Sequence, residues 1–210
     1  MFPNGEEFGR SGKVIYGVRN PAIMDLLLIA VSGIYLFLPA LLPNSAAVLL
    51  GGGTPVDFGR TWRGKRILGD GKTWRGLFGG VAAGTALGMA MVLATDALDS
   101  PDIWRYGDLA QGAGLVFVMA LGALLGDMAG AFIKRRLGME RGQKAPVLDQ
   151  YDFVVGGLGL TALLYPSWVA SHYIDGESIV ALLALLVFVP LLHRLVNIIG
   201  FKLGKKKEPW

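Results

Sequence analysis

Three carboxylates and a run of cations share one stretch of the chain, Gly126 to Gly157. Asp127 falls in an apolar segment, Lys134, Arg135 and Arg136 close it, and Asp149 and Asp152 precede a return to apolar sequence. Carboxylate oxygens suit hard divalent cations, and Mg²⁺ commonly takes one or two of them together with the phosphates of a substrate. Asp127, Asp149 and Asp152 are therefore candidate metal ligands and catalytic groups, for one ion or for a pair about 4 Å apart. Lys134, Arg135 and Arg136 are candidates for neutralising phosphate. Each carboxylate also has a plainer reading. Asp127 could pair with Lys134, seven residues on along the same helix face, and Asp149 and Asp152 could favour a helix N-terminus.

A second basic stretch, Pro43 to Arg75, contains Gly51-Gly52-Gly53, Asp57 and Gly69-Asp70-Gly71-Lys72-Thr73-Trp74-Arg75. Its glycines would let backbone amides approach an anion, and its Lys and Arg residues supply charge. The Gly71-Lys72-Thr73 run is not a nucleotide-binding P-loop, because Arg66 occupies the place of the required glycine. A general phosphate cradle and a basic rim for anionic lipid headgroups both remain open. The Val, Phe, Trp, Ile and Leu residues among the charges argue against disorder.

These residues need elements to position them, and composition says which. The chain is 53% hydrophobic and 17% charged, too apolar for an ordinary soluble domain. Five runs reach the length of about 20 residues that crosses a hydrocarbon core: Ala22–Leu42, Gly76–Ala97, Gly112–Ile133, Phe153–Ile174 and Ser178–Ile199. The expected fold is all-α: one polytopic membrane domain over residues 1–210, with about five transmembrane helices and two long cytoplasmic loops. Glycines at four-residue spacing, Gly80, Gly84 and Gly88, predict close helix packing. Pro190 predicts a kink in the fifth span.

Met1 to Asn20 lacks a signal-peptide pattern and reads as an exterior tail or surface segment. Lys and Arg cluster in the two long loops and near the C-terminus, whereas the other loops are acidic, so the positive-inside bias places loops and C-terminus in the cytoplasm and the N-terminus outside. Asp25 reads as a helix-end residue and His172 as interfacial. His193 and Arg194 read as part of a lipid-facing anchor, and the Lys-rich tail ending in Trp210 as a surface anchor. Neither histidine is expected in the acidic cluster. The absence of cysteine excludes disulfides, thiolate nucleophiles and Cys-type zinc sites.

Acid and base crowded at one membrane edge suit a metal-bound polyphosphate meeting a lipid headgroup. A phosphate monoester is largely ionised at neutral pH, so the protein would mainly align two reactants and neutralise charge. That chemistry is phosphoryl or nucleotidyl transfer onto a lipid phosphate.

Gly126-Asp127, Phe132-Ile133-Lys134-Arg135-Arg136-Leu137-Gly138 and Leu148-Asp149-Gln150-Tyr151-Asp152 together resemble the C-terminal signature of CTP-dependent phosphatidate cytidylyltransferases. With Pro55-Val56-Asp57 and Gly69 to Gly76 added, the chain more closely resembles the shorter archaeal CDP-archaeol synthases over about residues 20 to 200. The resemblance implies transfer of CMP from CTP to the ether-lipid phosphate 2,3-bis-(O-geranylgeranyl)-sn-glycerol 1-phosphate, with Mg²⁺ as cofactor, membrane lipids as surroundings and no nucleic acid as partner. It implies that Asp127, Asp149 and Asp152 bind metal, that Lys134, Arg135, Arg136, Lys72 and Arg75 hold the triphosphate or lipid phosphate, and that Asn44, Asp57, Asp70 and Thr73 shape the nucleotide pocket. The alternative is a membrane transporter of a phosphorylated anion or lipid, though the five spans show no repeat of the kind transporters carry. The Asp-Gly-x-x-Ala-Arg core of CDP-alcohol phosphotransferases is absent from the sequence.

Overall fold

A computed structural model describes residues 21–140 and 143–202. The Met1 to Asn20 tail and the Lys205 to Trp210 anchor lie outside the described residues. Seven α-helices are described: α1 (Pro21–Leu36), α2 (Leu38–Leu50), α3 (Trp74–Ala97), α4 (Leu109–Arg136), α5 (Pro146–Leu164), α6 (Pro166–Tyr173) and α7 (Ile179–Lys202), with a two-stranded hairpin, β1 (Thr61–Trp62) and β2 (Lys65–Arg66), between α2 and α3. Five segments are long and apolar enough to cross a membrane. This is the expected all-α, multi-pass architecture.

The first crossing differs from its expected bounds. Its apolar segment runs over Ile23–Leu50 rather than ending near Leu42. It is broken at Phe37, because Pro39 has no N–H to give the carbonyl of Tyr35, and tighter bonds from Phe37 to Ile34 (3.2 Å) and from Ala40 to Phe37 (3.0 Å) span the break. Pro43 sits inside α2 instead of terminating it. The carbonyl it deprives of a helical donor, that of Pro39, faces Gly84 of α3, and a Cβ on Gly84 would stand only 2.6 Å from that oxygen. Contact with a neighbouring helix is what lets a membrane helix carry an interior proline. The irregular stretch that follows is correspondingly shorter than Pro43 to Arg75.

The fourth crossing also moves. α5 begins at Pro146, which as the first helical residue has no N–H to lose, and ends at Leu164, the next residue, Tyr165, being biased out of the helix by Pro166. Asp149 and Asp152 therefore lie within the first turns of a spanning helix. α7 continues through Pro190.

Helix association in a bilayer depends on close packing, since lipid tails are as apolar as the helices. α4 is the central element, with Leu115, Val116, Met119, Ala120 and Ala123 all buried. Its Gly122 meets Gly156 of α5 so closely that a Cβ on either would stand within 2.5 Å of the other's carbonyl oxygen. The expected glycine stripe is realised on α3: Gly80 and Gly84 receive the carbonyls of Pro43 and Pro39, and Gly88 receives Val116. α7 rests on α1 where Ala181 meets Gly33, and the Tyr173 hydroxyl donates to the Gly33 carbonyl at 2.8 Å.

Candidate active site

The loop between α2 and α3 is built around Asp57. Its carboxylate accepts from the amides of Gly59 (3.1 Å), Leu68 (2.9 Å) and Gly69 (3.0 Å) and from Arg66 Nη2 (2.8 Å) and Nε (3.3 Å). Burial pushes this carboxyl up, but Arg66 and the three amides outweigh burial and hold it well below the ordinary carboxylate range. Arg66 also donates to Asp70 at 2.5 Å. Arg136, at the end of α4, clamps the hairpin by donating to the carbonyls of Trp62 (2.6 Å), Lys65 (3.2 Å) and Arg66 (2.7 Å). Its guanidinium also lies over the stacked rings of Trp62 and Phe132.

This loop delivers Lys72. Val56 N–H donates to the Lys72 carbonyl at 2.8 Å and Trp74 N–H to that of Thr54 at 3.1 Å, so the backbone is held on both sides. Thr73 caps α3 by accepting from Gly76 N–H at 3.1 Å. The Lys72 ammonium then reaches Asp127 on α4. The Asp127–Lys134 pair considered from the sequence does not form: Lys134 donates instead to Asp149 Oδ1 at 2.5 Å. The other oxygen of Asp149 accepts from Ala145 N–H at 3.0 Å, so this residue also serves the helix start.

Asn44, Lys72, Thr73, Asp127, Asp149, Asp152 and His193 line one cavity of about 200 Å³ between α2, α3, α4, α5 and α7. Asp152 is admitted by glycine: a Cβ on Gly130 would stand 2.2 Å from its Oδ2, and one on Gly126 would stand 2.1 Å from its carbonyl oxygen. Six of the residues singled out from the sequence thus converge. The remaining ones do not line this cavity. Asp57 and Arg136 shape the loop, Asp70 pairs with Arg66, and Arg75 is exposed beside Gly53. Arg135 donates to the Met139 carbonyl at 2.5 Å and lines a second cavity with Lys65, Arg66 and Asp70.

His193 overturns one expectation. The aliphatic sequence around it suggests a lipid-facing anchor, yet it lines the cavity and stacks on Phe153, with ring centroids 5.6 Å apart and planes 11° apart. The signal that could have found it is helical register: His193 follows Val189 by four residues, and both Leu185 and Val189 are fully buried. The inward face of the otherwise apolar fifth span therefore ends in an imidazole.

The lining offers oxygen groups of the kind a hard cation takes. Three carboxylates and the Lys72 ammonium line the cavity and the Lys134 ammonium is bonded to Asp149 from outside the lining, so these five groups carry an excess of one formal negative charge, and Asn44 adds a buried Oδ1 without a hydrogen-bond partner. Among the described residues, no three acidic or imidazole groups form one metal-ligating cluster, and lysines hold two of the three carboxylates. Those pairs are partly solvated, with side chains 22% to 36% exposed, so exchanging a lysine for a metal or a phosphate costs less than it would in a dry interior.

Fold and site together define a multi-pass membrane protein with a polar, acid-and-base cavity at one end of its helix bundle. The family model described as CarS-like, CDP-archaeol synthase, matches residues 23–210. The CDP-archaeol synthase of Halobacterium salinarum is 46% identical over 189 residues, 89% of this chain and 100% of that protein. That of Pyrococcus horikoshii is 47% identical over 174 residues, 82% of this chain and 92% of the relative. A solved structure described as an intramembrane enzyme for archaeal membrane lipid biosynthesis shares 42% identity and a TM-score of 0.62, covering 80% of this chain and 94% of that one. The chain belongs to the CDP-archaeol synthase family.

Proposed function

We propose that the protein transfers CMP from CTP to 2,3-bis-(O-geranylgeranyl)-sn-glycerol 1-phosphate, giving the CDP-activated lipid and pyrophosphate. The observation that carries this reading is the meeting of Asp127, Asp149, Asp152 and Lys72 in one cavity at the basic end of the bundle, in a chain of this family. An oxygen of the lipid phosphate attacks the α-phosphorus of CTP, a new P–O bond forms, and the bond to the bridging oxygen of the β-phosphate breaks to release pyrophosphate.

Asp127, Asp149 and Asp152 would hold Mg²⁺, which when bound neutralises charge on the phosphates and on the departing pyrophosphate. The remaining work falls to the chain itself. Lys72 and Lys134 stand beside the carboxylates, within reach of phosphate oxygens brought there. Thr73 fixes the start of α3, whose N-terminal amides favour an anion. Asn44 offers its unpartnered oxygen to the nucleotide. Arg75 and Arg135 lie outside the cavity and would attract the triphosphate, while Asp57, Asp70 and Arg136 act through the loop they hold.

Arg60, Arg63, Lys65, Arg66, Lys134, Arg135 and Arg136 share the end of the bundle that carries the cavity, whereas Asp96, Asp99, Asp102 and Asp108 mark the other. The positive-inside bias favours a cytoplasmic cavity and C-terminus and an exterior N-terminus, which brings CTP to the site from water and the acceptor from the membrane. Purified protein supplied with Mg²⁺, the ether-lipid phosphate and each nucleoside triphosphate in turn should release pyrophosphate and form a CDP-lipid, detected by mass, with CTP alone. Folded protein that binds CTP without releasing pyrophosphate would favour transport instead.

A further inference from the structure

The outer surface of the hairpin between α2 and α3 takes no part in the reaction cavity. Asp57 and Asp70, the carboxylates nearest to it in sequence, are both taken by Arg66, and among the described residues no carboxylate pairs with Arg60, Arg63 or Lys65. All three are exposed. The Arg63 guanidinium lies 5.5 Å from the centre of the Trp62 ring, and the Lys65 ammonium stands at the end of α4, 2.8 Å from where a Cβ on Gly138 would be. Three positive charges therefore face outward without an acidic partner.

Apolar side chains surround them. Phe58, in the turn before the hairpin, is 61% exposed and Trp62 is 49% exposed. The Phe58 ring meets Trp74 with 6.2 Å between centroids, and Trp74 stacks on Phe78 of α3 at 5.8 Å. Trp62 stacks on Phe132 of α4, also at 5.8 Å. Each aromatic column runs onto a membrane-crossing helix and ends among exposed apolar side chains, Phe78 on α3 and Ile133 and Leu137 beside Phe132. Phe58 holds its ring out at a φ of +49°, and Arg63 lies at +51°, a backbone region in which a bulky residue is an outlier. Indole rings and cations together favour the level of lipid headgroups.

We propose that Phe58, Arg60, Trp62, Arg63 and Lys65 form a binding surface for the headgroup phosphates of resident anionic phospholipids, outside the reaction cavity. The rings enter the interfacial layer and the cations take phosphate oxygens. Arg136 ties the hairpin to α4, and the Asp57–Arg66 pair ties it to the loop that delivers Lys72, so lipid gathered here holds that loop at headgroup depth.

The chain contains no cysteine, so Thr61→Cys, at an exposed position of β1, accepts a single fluorophore. The full-length labelled protein is placed in nanodiscs of phosphocholine lipid with a minor fraction of nitroxide-bearing quencher lipid, anionic phosphoglycerol in one series and phosphocholine in the other. The anionic quencher is expected to associate at least about fivefold more tightly, the factor that one Lys or Arg near an anionic surface supplies. That preference should fall toward one when Arg60→Gln, Arg63→Gln and Lys65→Gln are combined. It should fall likewise, without those substitutions, at about 1 M salt, where the screening length is about 3 Å. Equal quenching by the two lipids overturns the proposal, as does a preference that survives either the substitutions or the salt. A preference abolished by saturating CTP would assign the surface to the nucleotide and overturn it too. Quenching is read without turnover, so its outcome is distinct from that of the nucleotidyl-transfer reading.

Discussion

The two ends of the helix bundle each carry a histidine, several carboxylates and a cavity, yet they are wired differently. At the α6 end, Asp102, Glu177 and His172 line a cavity of about 510 Å³, and the ionic contacts nearby are local. Arg105 donates to Asp99 Oδ1 at 2.8 Å and to the Ser100 carbonyl at 2.5 Å, while His172 lies on the ring of Trp168, 4.6 Å between centroids. At the other end Arg66 pairs locally with Asp57 and Asp70 inside the loop, but the ionic contacts at the cavity itself join separate elements: Lys72 with Asp127, and Lys134 with Asp149. A local pair closes a loop and is complete. A pair that joins two helices or a helix and a loop around a cavity can be opened by a charged ligand without unravelling either element. Charge inventory alone does not mark the site; what marks it is which elements the charges connect.

The largest expected effect tests that difference directly. Asp127→Asn removes a carboxylate from the connected end and should lower turnover by about a hundredfold or more, the scale of losing one well-placed electrostatic group, with the folded protein retained. Asp102→Asn, at the locally wired end, should leave turnover unchanged. Steady-state rates of the two variants, normalised to folded protein by size-exclusion chromatography, check the pair. Equal losses would mean that the distinction between the ends is wrong.

A smaller effect is expected from the shelf that admits Asp152. Gly130→Ala places a Cβ 2.2 Å from Asp152 Oδ2, so the carboxylate or the helix must shift, at a cost of about 1–3 kcal/mol and with a loss of turnover. Gly159→Ala, on the same helix as Asp152 but with nothing within 4 Å of its added Cβ, should change stability by no more than about 0.5 kcal/mol. Thermal unfolding in detergent with parallel rate measurements tells them apart. If both are silent, the tight contact between α4 and α5 does not position Asp152.

How much of this was legible beforehand follows from the range of the interactions involved. Hydropathy and glycine spacing are local patterns, and they marked the five crossings, the α3 stripe and the stretch holding the acid cluster. The continuation of α2 through Pro43 was hidden because the compensation comes from Gly84 on another helix. The Lys72–Asp127 contact joins residues 55 apart in sequence, and no spacing rule reaches that far. Arg136 looked like a phosphate ligand because a cation beside carboxylates reads that way; its bonds to three hairpin carbonyls depend on a tertiary fold of the loop. The place of His193 is masked because an aliphatic span near a terminus suggests an anchor, although its four-residue spacing from the buried Val189 is a local signal in the sequence.

The smallest effect separates two aspartate–arginine pairs. Asp57 is buried and its carboxyl is held well below the ordinary range. Its folded value lies under its unfolded one, near 3.9, so its contribution is fully present above that pH and is lost as pH falls toward the folded value. Amide exchange at Leu68 and Gly69, compared after correction for intrinsic rates, should therefore hold steady from about pH 8 to 5 and rise only below about pH 4. Asp57→Asn should loosen both amides at every pH. Asp99 also contacts an arginine, but its side chain is fully exposed and its φ is +46°. Asn adopts that backbone region readily, and an exposed ion pair contributes about 0–1 kcal/mol, so Asp99→Asn should move stability by less than about 0.5 kcal/mol in either direction. A loss from Asp99→Asn as large as that from Asp57→Asn would mean that the α6 end is held by its charges, and the contrast between a buried local pair at one end and an exposed one at the other would fail.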